Sequence, residues 1–238
     1  MKKIILLFAA TLGVTSLYAQ RVWVKAGPEI GLNLSSIAEQ YDGDSYSNKI
    51  LPGLKIGGAL DVGFTRHVSF QPGLYFSMKG TANRDESSVT IGNTTTTNTY
   101  KERFLLNYIE MPMNVEFKFG SPRYGQFYFG GGPYIAALLG GHYKYEHTRT
   151  TANNTEATTS TLESYDRSLS IGDNAARDDV RGFDGGLGLN MGYEFRNGLF
   201  LRGAADIGFA NILPDGDNNN YMRNWSLGFS VGYFFHAR

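Results

Sequence analysis

The chain contains no cysteine. Disulfides, thiolate metal sites, a cysteine nucleophile and a lipidated N-terminal cysteine are excluded together. Charge is sparse: Asp, Glu, Lys and Arg make up 18% of the 238 residues, below the usual quarter. The two signs balance at 22 each, so net charge argues neither for nucleic acid nor for a polybasic membrane contact. Beyond the first 20 residues no stretch approaches the ~20 consecutive apolar residues of a spanning helix. What the chain has in quantity is glycine (30), phenylalanine (16) and tyrosine (15), and the aromatic share points to strands rather than helices.

The segment "MKKIILLFAATLGVTSLYAQ" reads as a secretory leader. Lys2 and Lys3 form the positive start, Ile4 to Val14 the apolar stretch, and Ala19 the last residue before cleavage. Leu17, three residues before the cut, is larger than ideal. The expected organisation is a leader at residues 1–19 and one domain over 20–238.

From there on, apolar and polar residues alternate again and again. A strand sends successive side chains to opposite faces. In "VWVKAGPEIGLNLS", Val24, Ala26, Ile30 and Leu32 share one face, and Lys25, Gly27, Glu29 and Asn33 the other. "GLKIGGALDVGF", "VSFQPGLYFSMKG", "NYIEMPMNVEFKF", "VRGFDGGLGLNMGYEF" and "LFLRGAADIGFA" repeat the pattern. "QFYFGGGPYIAALLG" is weaker, since both of its faces are apolar. "WSLGFSVGYFF" sets Trp225, Leu227, Phe229, Val231, Tyr233 and Phe235 against Ser226, Gly228, Ser230 and Gly232. About eight strands result, each near the 9–11 residues that cross a bilayer at a tilt.

The connections run long, short, long, short, long, short, long. That order predicts an eight-stranded antiparallel up-and-down transmembrane β-barrel, all-β, with long extracellular loops at one end and tight turns at the other. The Thr/Asn-rich tracts "TTTTNT" and "TRTTANNTEATTSTLES" suit solvated, mobile outer loops. The longest connection, His142 to Asp179, has room for extended strand ends or an extra hairpin.

The facing of the apolar side decides between a soluble lipocalin-like barrel and one in the outer membrane. The opposite face carries Lys25, Glu29, Lys55, Asp61, Glu110, Glu116, Asp184, Glu194, Arg202 and Asp206, with Lys79 and Lys118 beside them, among many glycines. A soluble exterior has no reason to be so rich in glycine. Inside a narrow ring of eight strands, small residues leave space for charges that pair. The large residues then face lipid, and aromatics at the ends of the last strand fit interfacial girdles. The ten charged residues are expected to form a structural network that plugs the lumen.

The strand "NYIEMPMNVEFKF" followed by "GQFYFGGGPYIAALL" resembles the PorT-like outer-membrane β-barrel family of the Bacteroidetes, through Tyr108, Glu110 and Pro112 and then Gly131, Gly132, Pro133 and Tyr134. "KAGPEIGLNLS", "FQPGLYFSMKG" and "DGGLGLNMGYEF" are similar to further strands of that family. The resemblance implies an outer-membrane barrel with accessory service to protein secretion; a non-enzymatic structural or interaction role in the envelope is expected from the thin candidate chemistry. The implied partners are outer-membrane lipid, the barrel-assembly machinery during biogenesis, and secretion-system or surface partners met through the loops, with no nucleic acid. The terminal strand resembles the assembly signal of such barrels, though "HAR" follows its aromatic.

Candidate chemistry is thin. The four histidines are His67, His142, His147 and His236. The five-residue spacing of His142 and His147 suits neither one strand face nor the usual helical metal pair. No Ser-His-Asp order stands out. "PDGDNNN" has a calcium-loop flavour from Asp215, Asp217 and Asn218 but lacks the downstream glutamate. No catalytic residue, cofactor or metal is expected. The alternatives are an outer-membrane enzyme acting on lipid or peptide, marked by a converging Ser-His-acid set, and a soluble lipocalin-like binder.

Overall fold

The computed structural model describes residues 23–46, 48–153 and 155–236. The expected leader at 1–19 and its cleavage point lie outside the described residues. Eleven strands follow one another: β1 (Trp23–Tyr41), β2 (Asp44–Tyr46), β3 (Lys49–Gly63), β4 (Val68–Ile91), β5 (Thr94–Ser121), β6 (Gly125–Ala152), β7 (Ala157–Ser168), β8 (Phe183–Glu194), β9 (Leu199–Gly208), β10 (Tyr221–Tyr233) and β11 (Phe235–His236). Neighbours pair in the order β10-β9-β8-β6-β5-β4-β3-β1, and β10 pairs back onto β1. The ladder from Glu29↔Gly232 to Gln40↔Tyr221 closes this antiparallel ring.

The expected count of about eight strands is corrected to eleven among the described residues. Eight make the ring, while β2, β7 and β11 are additions paired to β1, β6 and β1 respectively. The outer connections are corrected too. The tracts read as mobile loops are strand: β4 runs to Ile91, β5 restarts at Thr94, and β6 continues to Ala152 before β7 turns back. The 28 residues of β5 span about 95 Å of extended chain, several times what a bilayer crossing needs. Beyond the ring, β4 to β7 form a four-stranded wing.

The room for extended strand or an extra hairpin in the longest connection is filled by the end of β6 and by β7, while the strand character of the β4–β5 half of the wing was missed for a physical reason. Both of its faces meet solvent, so hydrophobic alternation vanishes, while the β-branched threonines still favour extended chain. Cross-strand hydroxyl pairs stand where apolar contacts stand in the ring: Ser88 with Thr97 at 2.9 Å, Thr90 with Thr95 at 3.0 Å and Thr150 with Thr159 at 2.9 Å.

Within the ring the alternation sorts inside from outside. Leu32, Leu74, Leu189 and Phe229 are exposed by 60%, 57%, 71% and 63%, forming an apolar belt on the exterior. Asn33, Tyr75 and Asn190, next to the first three in sequence, are buried in the interior, as is Ser226 farther along β10. Interior glycines make room for longer neighbours: a Cβ on Gly130 would collide with the Glu116 carboxylate, and one on Gly192 with the Tyr128 ring. The strand whose two faces both read as apolar is β6. Its inward residues are Tyr128, Tyr134, Ala136 and Leu138, all buried.

Candidate functional site

The interior is stacked in layers. Nearest the tight turns, Lys25 (β1), Asp61 (β3), Lys118 (β5) and Glu194 (β8) form a four-membered ionic set. Lys118 Nζ lies 2.5 Å from Asp61 and 3.5 Å from Glu194, while Lys25 pairs with Glu194 and lies 3.9 Å from Asp61. Strand register explains the convergence, since Lys25 stands directly opposite Asp61 on the facing strand.

Above it, Arg202 (β9) donates to Glu29 (β1) at 3.0 Å and to the Gln71 carbonyl oxygen at 2.7 Å. The other end of Gln71 donates to Asp61 at 3.1 Å, tying the two layers together. Glu29 also accepts from the Tyr75 hydroxyl at 2.7 Å and the Ser230 hydroxyl at 2.5 Å. The Arg202 guanidinium lies over the rings of Tyr128 and Phe200, at 5.8 and 5.2 Å. Glu116, fully buried, accepts from Asn190 at 2.9 Å through one oxygen; its other oxygen has no hydrogen-bond donor among the described residues.

In the third layer Glu110 (β5) sits between Lys55 at 2.8 Å and Lys79 at 2.6 Å. Lys79 also lies 3.9 Å from Asp184 and over the Tyr134 ring at 4.5 Å. Asp184 accepts from Asn224 at 3.0 Å and Tyr134 at 3.4 Å, and Asp206 accepts from Ser226 at 3.2 Å.

All ten charged residues named from the sequence therefore face the interior. They do not form one continuous set: Asp206 and Glu116 are held by neutral donors and make no ion pair among the described residues. Lys79 and Lys118, which share the polar face but stood outside the expected network, are central to two of its layers. The neutral partners Gln71, Tyr75, Tyr134 and Asn224 were not read as part of the network, although Tyr134 carries the family resemblance. Their signal was the same inward position as the charges they serve.

One end of the interior is closed by apolar side chains. Toward the long connections, Ile37, Leu106, Leu138 and Met222 from the ring meet Leu169, Val180 and Ile212 from the connections. Arg167 grips Asp179 with two bonds of 2.7 and 2.8 Å, and Asp173 binds Arg181 and the amide of Asp215, so the two connections brace each other. These contacts hold Asp179 and Asp173 below the usual carboxylate range, through the Arg167 and Arg181 guanidinium groups respectively. Level with the first two layers, Phe234 stacks on Phe200 with ring centres 4.5 Å apart, beside Ala59 and Tyr75. A hollow of about 10 Å³ remains beside Glu29, Lys55 and Arg202, space for about one water.

Among the described residues, the side chains of His67, His142 and His147 do not converge. His142 and His147 lie on opposite faces of β6. The first meets Asp166 at 3.1 Å; the second stacks on Tyr100 at 4.3 Å. Ser168 stands opposite His142 in the ladder, but among the described residues no serine hydroxyl bonds a histidine ring. His67 lies in the exposed turn after β3. In the loop read for calcium, Asp217 accepts the amides of Asn219 and Asn220, each at 2.8 Å, and Asp215 that of Ala175 at 3.0 Å, so these carboxylates serve their own backbone.

Comparison with curated proteins returns no match. Among solved structures the chain is similar to Ail of Yersinia pestis, crystallised with the heparin analogue sucrose octasulfate (14% identity, 89% of this chain and 99% of that one, TM-score 0.32). It is also similar to Neisserial surface protein A (8%, 91% and 100%, TM-score 0.36) and to the N-terminal β-barrel domain of Pseudomonas aeruginosa OprF (12%, 87% and 97%, TM-score 0.32). The family model described as outer membrane protein beta-barrel domain matches residues 18–214, and the chain belongs to that family.

Proposed function

We propose that the mature chain is an integral outer-membrane barrel of eight spanning strands, with a plugged lumen and a non-enzymatic structural or interaction role. The observation that carries this reading is the pairing of an apolar exterior belt with an interior filled by ion pairs and buried aromatic rings and closed by apolar side chains toward the long connections. Such an interior offers neither a conducting path nor a ligand chamber, which leaves the exterior and the outer connections as the working surfaces. Lipid and the assembly machinery are its partners during biogenesis. Partners in the finished envelope meet the wing and the braced connections. The sequence resemblance to PorT-like barrels supports accessory service to protein secretion.

The test is a clean deletion with complementation, comparing the proteins released into the medium. Loss of a defined set of secreted proteins, restored by the complement, is expected. An unchanged set of released proteins would remove the secretion role.

A further inference from the structure

On the exterior of the wing, just beyond the apolar belt, the strand register sets cations directly opposite cations. Arg103 of β5 faces Lys144 of β6, and Arg84 of β4 faces Lys101 of β5. Like charges directly opposite one another in a sheet are destabilising, so two such pairs side by side ask for a compensating anion. Three of the four cations have one within the chain: Lys101 has Glu146 at 3.2 Å, Lys144 has Asp166 at 2.8 Å, and Arg84 has Glu86. Arg103 is exposed, and among the described residues its guanidinium has no ionic or hydrogen-bonding partner. It sits between Lys101 and Lys144 at a shallow hollow of about 290 Å³, which their partners Glu146 and Asp166 also line, so that Arg103 supplies its one uncompensated charge among the described residues.

Position supplies the identity of the missing anion. Odd-numbered residues of β5 point outward, and Arg103 is one alternation past Leu105, where the apolar run Ile109, Met111, Val115, Phe117 gives way to polar chain. If the belt lies in hydrocarbon, this level is that of the lipid headgroups. A basic cluster there meets phosphate, and arginine offers a forked donor that matches two phosphate oxygens.

We infer that Arg103, flanked by Lys101 and Lys144, forms a docking site for the phosphate of an anionic membrane lipid of the outward leaflet. The inference rests on the membrane placement proposed above. The paired ladders of the wing set these cations side by side in register.

The folded full chain, purified in detergent, is titrated with a glycolipid carrying two phosphates on a disaccharide, with its dephosphorylated counterpart, and with inorganic phosphate. The expected result is binding that needs the phosphates, weakened about fivefold by Arg103→Gln and about a hundredfold by the triple change Lys101→Gln, Arg103→Gln, Lys144→Gln, at roughly one such step per cation. Arg123→Gln with Arg196→Gln, in exposed turns at the opposite end, should leave it unchanged. Equal affinity of the triple variant, equal loss in the turn variant, or equally tight binding of inorganic phosphate would each overturn the site. Insertion into phosphatidylcholine vesicles is scored separately. Failure to insert overturns the membrane reading itself; insertion without phosphate dependence overturns only the headgroup site.

Discussion

The strands β4, β5 and β6 pass through two environments, and their lower and upper halves obey different rules. In the ring, each strand has one face on the apolar belt and one on a crowded, charged interior. Glu110, Glu116 and Lys118 of β5 are all nearly inaccessible there. In the wing, both faces are wet: the Lys101–Glu146 pair has side chains 38% and 43% exposed. The same hydrogen-bond ladder runs through both. What differs is what a side chain loses when its partner is removed. In the interior, an orphaned charge has no water to turn to; in the wing, it has water on every side.

The largest contrast should come from paired deletions of carboxylates. Asp61→Ala leaves Lys118 and Lys25 sharing only Glu194, and should cost about 3–5 kcal/mol in urea-titrated folding into vesicles. Glu146→Ala in the wing should cost at most about 1 kcal/mol in the same assay. Similar losses at both sites would erase the distinction between the two halves.

A charge placed on the exterior sharpens the comparison next. Leu227→Arg, in the belt, should cost about 2–4 kcal/mol and impair assembly, read from the mobility of unboiled protein on a gel. Val89→Arg, also exposed but in the wing, should stay within about 0.5 kcal/mol. Normal assembly of Leu227→Arg would mean that the belt does not face lipid.

A smaller effect is expected from the wing's own glue. Thr150→Ala removes the hydroxyl pair with Thr159 and should cost about 0.2–1 kcal/mol, seen as faster amide exchange at the tip of β6 and β7 while the ring stays protected. Exchange that quickens throughout would show that wing and ring open as one unit.

The smallest effect is set by pH. Asp173 and Asp179 titrate below the unfolded carboxylate value of about 3.9, so their bracing is fully present above it and is lost as the pH falls through their lower folded values. Proteolysis of the connection between β7 and β8 should therefore quicken below about pH 4, with the ring intact. Cutting that is the same at pH 7 and pH 3 would show that the apolar lid alone holds the connection.

The same contrast governs what could be read from the sequence. One-sided burial writes itself as alternation, which is why Leu227 and Gly228, or Ile109 and Glu110, could be assigned to opposite faces without a structure. The wing carries no such asymmetry, so Thr94–Thr99 and the chain around Ala157 read as loop although they are paired throughout. The interior was legible as charged but not as layered, because which carboxylate meets which cation depends on the stagger between strands. Lys79 meets Glu110 from a strand whose register alphabetic spacing cannot fix. On β6, Ala136 and Leu138 hid their inward facing, since the top of the interior is apolar and both faces of that strand look alike.

The continuity of β4 to β6 from interior to wing has a mechanical consequence. The turn at Gly92 and the end of β6 at Ala152 are joined to Lys79, Glu110 and Tyr134 by unbroken lengths of strand. A pull or twist applied at the tip is carried down a stiff lever and delivered to the wall behind the ion pairs, rather than dissipated in slack chain.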